Sequence, residues 1–192
     1  MNQSPGNNKI STAIFISGRG SNLKSLVNFS KKKTSPIHIN LIISNTKKAK
    51  GLKYADLNKI QKKIINFKKK NSAERNILNM LNKKKINFIC LAGFMKVLSK
   101  NFIKKFKGKI VNIHPSLLPK YKGLNTYQRA LKNKEKFAGC TVHYVTNKLD
   151  SGKVILQKKV KIKKNDTVNS LRKKVLKKEH QIYPSAIRKI FS

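Results

Sequence analysis

The sequence predicts an α/β fold: one mostly parallel, twisted sheet with helices on both faces. Three observations carry this. Apolar stretches of strand length alternate with stretches of helical spacing across the first two thirds of the chain, the pattern of parallel strands joined by crossover helices. The run Phe88-Ile89-Cys90-Leu91-Ala92 is apolar without interruption, as a strand covered on both faces requires. No repeat and no linker rich in Gly, Pro or Ser divides the 192 residues, so the expectation is a single domain over 1–192, with 1–9 a disordered N-terminus.

In chain order, a strand over 12–16 runs into Ser17-Gly18-Arg19-Gly20-Ser21-Asn22 and then a helix over 23–29. A strand over 37–43, a helix over 51–59 and a short strand over 64–67 follow. Ile77, Leu78 and Leu81 give 73–82 helical spacing. After the strand at 88–92, a helix over 100–106 leads into a strand that ends at Asn112 and His114. The character then changes. Residues 126–133 read as helix, and 139–145 and 154–162 as strands with partial alternation. Between those strands lies a turn-forming loop over 146–152. The remainder, 166–191, is a long helical region with Asp166 as its N-cap and a break predicted at Pro184.

Composition excludes several classes. The longest apolar stretch, 88–95, is too short to span a bilayer. No basic segment leads into an apolar one at the N-terminus, so no signal peptide is expected and the location is expected to be cytoplasmic. Cys90 and Cys140 both lie in apolar strand-like segments without a CxxC and read as buried, reduced thiols. The net charge of +40 suggests nucleic acid or an acidic membrane surface. Against that, the lysines are spread along nearly the whole chain and lack the interleaved aromatics of a single-strand-binding surface. Lys, Asn and Ile, all abundant here, share AT-rich codons. Compositional drift is the preferred reading, so neither nucleic acid nor membrane is the expected partner, although such a field draws in an anionic substrate. The acids number only six: Asp56, Glu74, Glu135, Asp150, Asp166 and Glu179. Glu74 and Glu135 read as solvated helix positions.

The chemistry concentrates in Val111-Asn112-Ile113-His114-Pro115-Ser116-Leu117-Leu118-Pro119. Residues two apart on a strand share a face, so Asn112 and His114 stand side by side at a strand's end, next to a proline-stiffened loop. An amide donor beside an imidazole suits carbonyl chemistry: one steadies a developing oxyanion and the other moves a proton. The imidazole needs an orienting partner. Asp150, in a glycine-flanked loop between strands, is the natural carboxylate, its plain alternative being a turn residue. Gly18-Arg19-Gly20-Ser21-Asn22, between a strand and a helix, suits a phosphate. It is neither GxGxxG nor a Walker loop, so a phosphomonoester fits better than a dinucleotide or NTP. The plain alternative is a turn with Ser21 or Asn22 as N-cap. His143 reads as a packed strand histidine in preference to one lining the site, His38 and His180 carry no constellation, Ser116 lacks a nucleophile elbow, and no cluster has metal-ligand spacing, so no metal is expected.

Taken in order, Ser17 to Leu23, Leu91-Ala92-Gly93-Phe94-Met95, Asn112 to Pro119, Thr141-Val142-His143-Tyr144-Val145, Leu149-Asp150-Ser151-Gly152 and Ile155-Leu156-Gln157 closely resemble the phosphoribosylglycinamide formyltransferase family. The resemblance covers about 10–183. It implies a Rossmann-like formyltransferase fold and formyl transfer from 10-formyltetrahydrofolate to a glycinamide ribonucleotide in purine synthesis. It implies that Gly20, Ser21 and Asn22 hold the 5-phosphate and that Glu179 lies near the substrate amine. Met95, Lys96, Val97 and Leu98, with Asn112 and the loop Thr146, Asn147, Lys148, Leu149 and Asp150, form the folate pocket. His114 is then the catalytic acid, Asn112 the donor to the formyl oxygen, and Asp150 the charge that favours the imidazolium. The implied partners are small molecules only, in a monomer or a dimer. Two alternatives stay open. One is a formyltetrahydrofolate hydrolase, with the same site and water as acceptor. The other is a basic nucleic-acid-binding protein on this scaffold. Hydrolases usually carry an extra N-terminal domain and tRNA-directed relatives a C-terminal barrel, and neither is expected within these residues.

Overall fold

The computed structural model describes residues 9–192. The expected disordered N-terminus lies outside the described residues except for Lys9, whose Nζ donates to the carbonyls of Ser30 and Lys32 at 3.1 and 3.0 Å. Seven strands form one sheet: β1 (Ile10–Ile16), β2 (Ile37–Ser44), β3 (Gln61–Ile64), β4 (Phe88–Leu91), β5 (Lys109–His114), β6 (Phe137–Tyr144) and β7 (Val154–Lys161). Their spatial order is β3-β2-β1-β4-β5-β6-β7. The first five are parallel, and β6 and β7 are antiparallel to their neighbours. The helices are α1 (Ser21–Ser30), α2 (Lys53–Leu57), α3 (Lys70–Lys83), α4 (Lys100–Lys105), α5 (Thr126–Lys132) and α6 (Val168–Phe191).

Two cores result from the strand period of two. Ile14 and Ile16 of β1 join Cys90 of β4, Val111 and Ile113 of β5 and the buried faces of α1 and α6 on one side of the sheet. Ala13 and Phe15, one residue out of step, join Ile89 and Leu91 and the α3 residues Ala73, Ile77 and Leu81 on the other. Cys90 and Cys140 are free and buried, and burial pushes the Cys140 thiol up to about 12.

Several elements differ from expectation for identifiable reasons. The short strand β3 occupies the polar Gln61-Lys62-Lys63-Ile64 rather than 64–67. It sits at the sheet edge, where lysines stay solvated and discourage further pairing, while Ile65 and Phe67 turn into the core against α3. Glu74 is buried rather than solvated, and its carboxylate accepts from the Ser99 N–H at 2.8 Å and from the Ser99 hydroxyl. Glu135 lies past the end of α5 rather than in a helix. The N-cap of α6 is Thr167, in a capping box with Ser170. Asp166, one residue earlier, accepts from Lys174 Nζ at 2.6 Å and Ser170 Oγ at 2.7 Å.

Pro184 does not break α6. A proline removes the N–H that would bond the carbonyl four residues back, here that of His180. The Ser25 hydroxyl of α1 donates to that carbonyl instead, at 3.0 Å. The helix thus stays continuous because its neighbour supplies the missing donor. Among the described residues no helix is long and apolar enough to cross a membrane.

Ser25→Ala is expected to cost about 1 kcal/mol in the parent, by stripping that carbonyl of its donor, and distinctly less in a Pro184→Ala background, where residue 184 regains an N–H. A double-mutant cycle in urea measures the coupling; additive effects would contradict this account.

Candidate active site

The chain leaves β1 toward one edge of the sheet and leaves β4 toward the other. Ligands bind at the C-terminal ends of strands at such a reversal. Here a cleft of about 1020 Å³ opens, lined by Asn22, Met95, Asn112, His114, Asp150 and Glu179 among others.

The β1 end supplies the loop into α1. Gly20 sits at the N-cap with φ +75° and no side-chain cap, so the first N–H groups of α1 are free for an anion. A Cβ on Gly20 would lie 2.5 Å from Gly51 Cα, so only glycine fits this contact. Gly20 and Ser21 stand beside the cleft lining and Asn22 stands within it. Asn22 Nδ2 donates to Glu179 Oε2 at 2.6 Å, and its buried Oδ1 has no partner. Glu179 is itself buried on α6. Burial holds its carboxyl above the ordinary value, against the opposing Asn22 hydrogen bond and the Arg172 charge.

The β4 end supplies 93–98. Ser17 N–H donates to Gly93 O at 3.0 Å, and Met95 N–H to Ser17 Oγ at 2.8 Å. The Phe94 ring is fixed edge-on between Phe15 and Phe67. This tether leaves Met95 and Val97 63% and 61% exposed, an apolar wall facing solvent at the cleft. Leu98 is buried beneath them.

β5 and β6 supply the reacting groups. Asn112 is paired with His143 across the antiparallel ladder, and Asn112 Nδ2 lies 3.2 Å from His143 Nε2. His143 Nδ1 faces Tyr144 O at 2.9 Å, and burial holds the imidazole below its ordinary pKa. The neutral Nδ1–H tautomer satisfies both contacts: it donates to Tyr144 and accepts from Asn112, which fixes the amide's orientation. His143, buried in its strand, also lines the cleft, so the less favoured of its two expected readings holds. Register made it so, and register is not written in the spacing of one strand. Asp150, at φ +45°, places Oδ2 3.3 Å from His114 Nδ1 and Oδ1 3.7 Å from His143 Nε2. Gly123 N–H donates to the same Oδ2 at 2.9 Å. Gly152 lets this loop close on β6, since a Cβ there would meet Tyr144 O at 1.8 Å. His114 Nε2 lies 2.9 Å from the Tyr121 carbonyl. His114 Nε2 thus faces a backbone acceptor, while Nδ1 faces the Asp150 carboxylate. The contributions of Gly123 and Tyr121 are made by backbone, which no residue type announces in a sequence.

The cleft therefore combines an oriented amide donor, an imidazole backed by a carboxylate, an anion-accepting helix start and an apolar wall. That equipment suits acyl transfer between an anionic acceptor and a flat, largely apolar donor. Among the described residues no group of three or more His, Cys, Asp or Glu could hold a metal ion.

The chain belongs to the formyl transferase family, whose model matches residues 10–187. Within it, the chain is similar to phosphoribosylglycinamide formyltransferase of Haemophilus influenzae, 39% identical over 179 residues, 92% of this chain and 84% of that one. The solved phosphoribosylglycinamide formyltransferase of Brucella melitensis superposes with a TM-score of 0.90 at 41% identity, covering 95% and 96% of the two chains. The trifunctional purine biosynthetic protein adenosine-3 of Gallus gallus is 40% identical over 188 residues. The match spans 96% of this chain and only 19% of that protein's length.

The raised Glu179 carboxyl makes the folded protein bind more protons than the unfolded chain just above the ordinary carboxylate range, so stability falls as pH rises through that interval. Glu179→Gln, which keeps an acceptor for Asn22, is expected to be more stable than the parent at about pH 7 and to show no such gain below about pH 4. Urea midpoints at the two pH values check this.

Proposed function

We propose that this cleft transfers the formyl group of 10-formyltetrahydrofolate to the primary amine of N1-(5-phosphoribosyl)glycinamide, a step of purine synthesis. The observation that carries the reading is one cleft lined by Asn112, His114 and Asp150 together with Asn22 at the open start of α1 and the exposed Met95 and Val97. The ribonucleotide phosphate belongs at Gly20, Ser21 and Asn22. Glu179 and the free Oδ1 of Asn22 are acceptors for the hydroxyl and N–H groups beside the amine. The folate lies along Met95, Lys96, Val97 and Leu98, with the loop Thr146, Asn147, Lys148, Leu149 and Asp150 opposite.

The amine nitrogen attacks the formyl carbon and a new C–N bond forms, while the carbonyl electron pair moves onto oxygen. Asn112 Nδ2–H, aimed by its bond to neutral His143, is one donor to that oxyanion. His114 Nδ1–H is the other. At 3.3 Å from Asp150 Oδ2 it is the less tightly held ring nitrogen. Collapse then breaks the bond between the carbon and folate N10, and N10 takes the proton lost by the amine, through His114 or water. Tetrahydrofolate and the formylated glycinamide leave. The net positive field favours arrival of two anionic substrates.

Incubation with 10-formyltetrahydrofolate, with and without the ribonucleotide, tests the reading. Deformylation is expected only when the ribonucleotide is present; equal rates without it would make water the acceptor and the chain a hydrolase. Asn112→Ala and His114→Ala are each expected to lower kcat by on the order of a hundredfold or more, with unchanged circular dichroism. Near-parental turnover in either would remove its assigned role.

A further inference from the structure

The loop that follows β5 holds the site from behind through a residue with no group in the cleft chemistry. Tyr121 adopts φ +55°, a left-handed conformation that a bulky residue keeps only where its surroundings over-determine it. In that conformation its carbonyl meets His114 Nε2 at 2.9 Å. Its side chain is anchored to the end of α5. The phenol donates to Glu135 Oε1 at 2.8 Å and accepts from Asn133 Nδ2 at 2.9 Å. The Arg129 guanidinium lies 5.0 Å over the ring centre and also donates to Lys122 O at 2.7 Å. On the preceding residue, Ser116 Oγ donates to Lys120 O at 2.7 Å, and Lys120 Nζ reaches Glu135 Oε1 at 2.8 Å. Together the phenol contacts hold the Tyr121 side chain, and the bonds to Lys120 O and Lys122 O hold the chain on either side of its carbonyl.

We propose that Tyr121 and Glu135 form a clamp that positions the catalytic imidazole: the phenol–carboxylate hydrogen bond sets the Tyr121 peptide, whose carbonyl accepts a hydrogen bond from His114 Nε2–H and leaves Nδ1 as the working nitrogen. This rests on the reading of His114 given above. Tyr121 and Glu135 are positioning residues, acting only through His114.

Three variants and two readouts test it. Tyr121→Phe keeps the ring under Arg129 and loses the hydroxyl. Glu135→Leu removes the acceptor, and Glu135→Gln keeps one. Tyr121→Phe and Glu135→Leu are expected to lose about fivefold to tenfold in kcat, the scale of one hydrogen bond, with KM for both substrates within about twofold. Glu135→Gln is expected to stay close to the parent, because the exposed Lys120 ion pair it loses contributes little. In protein carrying 15N-labelled histidine, the His114 Nε2–H resonance is expected to be exchange-protected in the parent and in Glu135→Gln, and exchange-broadened in the other two. Parental kcat with an unchanged resonance in Tyr121→Phe would overturn the clamp. So would a change confined to KM or to the urea midpoint. The resonance reports on the clamp without reference to turnover. If it responds as expected while His114→Ala turns over normally, the clamp stands and the catalytic role of His114 falls.

Discussion

The site depends on the register of β5 against β6. Because the two strands run antiparallel with Asn112 opposite His143, an amide and an imidazole from different parts of the chain share one face at van der Waals range. The same turn of chain that makes β6 antiparallel sends the loop 146–152 back across the end of β5, where Asp150 reaches both histidines. A shift of one residue would send Asn112 and His114 to the opposite face and leave Asp150 facing a backbone. The register is in turn fixed by burial, since Ile113 and Val142 pair between the reacting residues and belong to the core beneath α1 and α6.

That core also explains why the cleft stays open. α1 and α6 pack on one face of the sheet and α3 on the other, while the strand order reverses between β1 and β4. The two loops leaving that reversal cannot cover each other, and each is tied down separately: Gly20 by its contact with Gly51, and 93–95 by Ser17. The cleft is thus built from short tethers on a rigid sheet, an arrangement that holds reacting groups in place before substrate arrives.

Much of this was legible in the sequence. The strand ending in Asn112 and His114, the glycine loop and Asp150 lie where residue type and spacing put them, because strand period and turn chemistry are local properties, whereas Glu179 was legible only through the family resemblance. What was not legible is what depends on distant partners. His143 looked like a packed strand residue because only register reveals its bond to Asn112. Pro184 predicted a break because only the packing of α1 reveals the donor that Ser25 provides. Glu74 looked solvated because its partner, Ser99, is the N-cap of the next helix. The contributions of Gly123 and Tyr121 come from main-chain atoms, to which the side chain gives no clue.

The charge imbalance follows the same division. With 46 basic residues and six acidic ones, any carboxylate is surrounded by potential partners, and a freely placed one would simply sit among lysines. Only Asp56, paired to Lys62 at the surface, is of that kind. The other five each accept hydrogen bonds that define a structural join: Glu74 holds the start of α4, Glu135 the Tyr121 loop, Asp150 the imidazole, Asp166 the start of α6, and Glu179 the Asn22 side chain. The lysines, by contrast, are mostly exposed, including Lys63 on β3 and Lys158, Lys159 and Lys161 on β7. A surface recruited to bind a polyanion gathers its cations on one face; here the lysines are spread along nearly the whole sequence. The positive charge is therefore the background against which five constrained carboxylates are placed, and it is those carboxylates that tie the surface to the site.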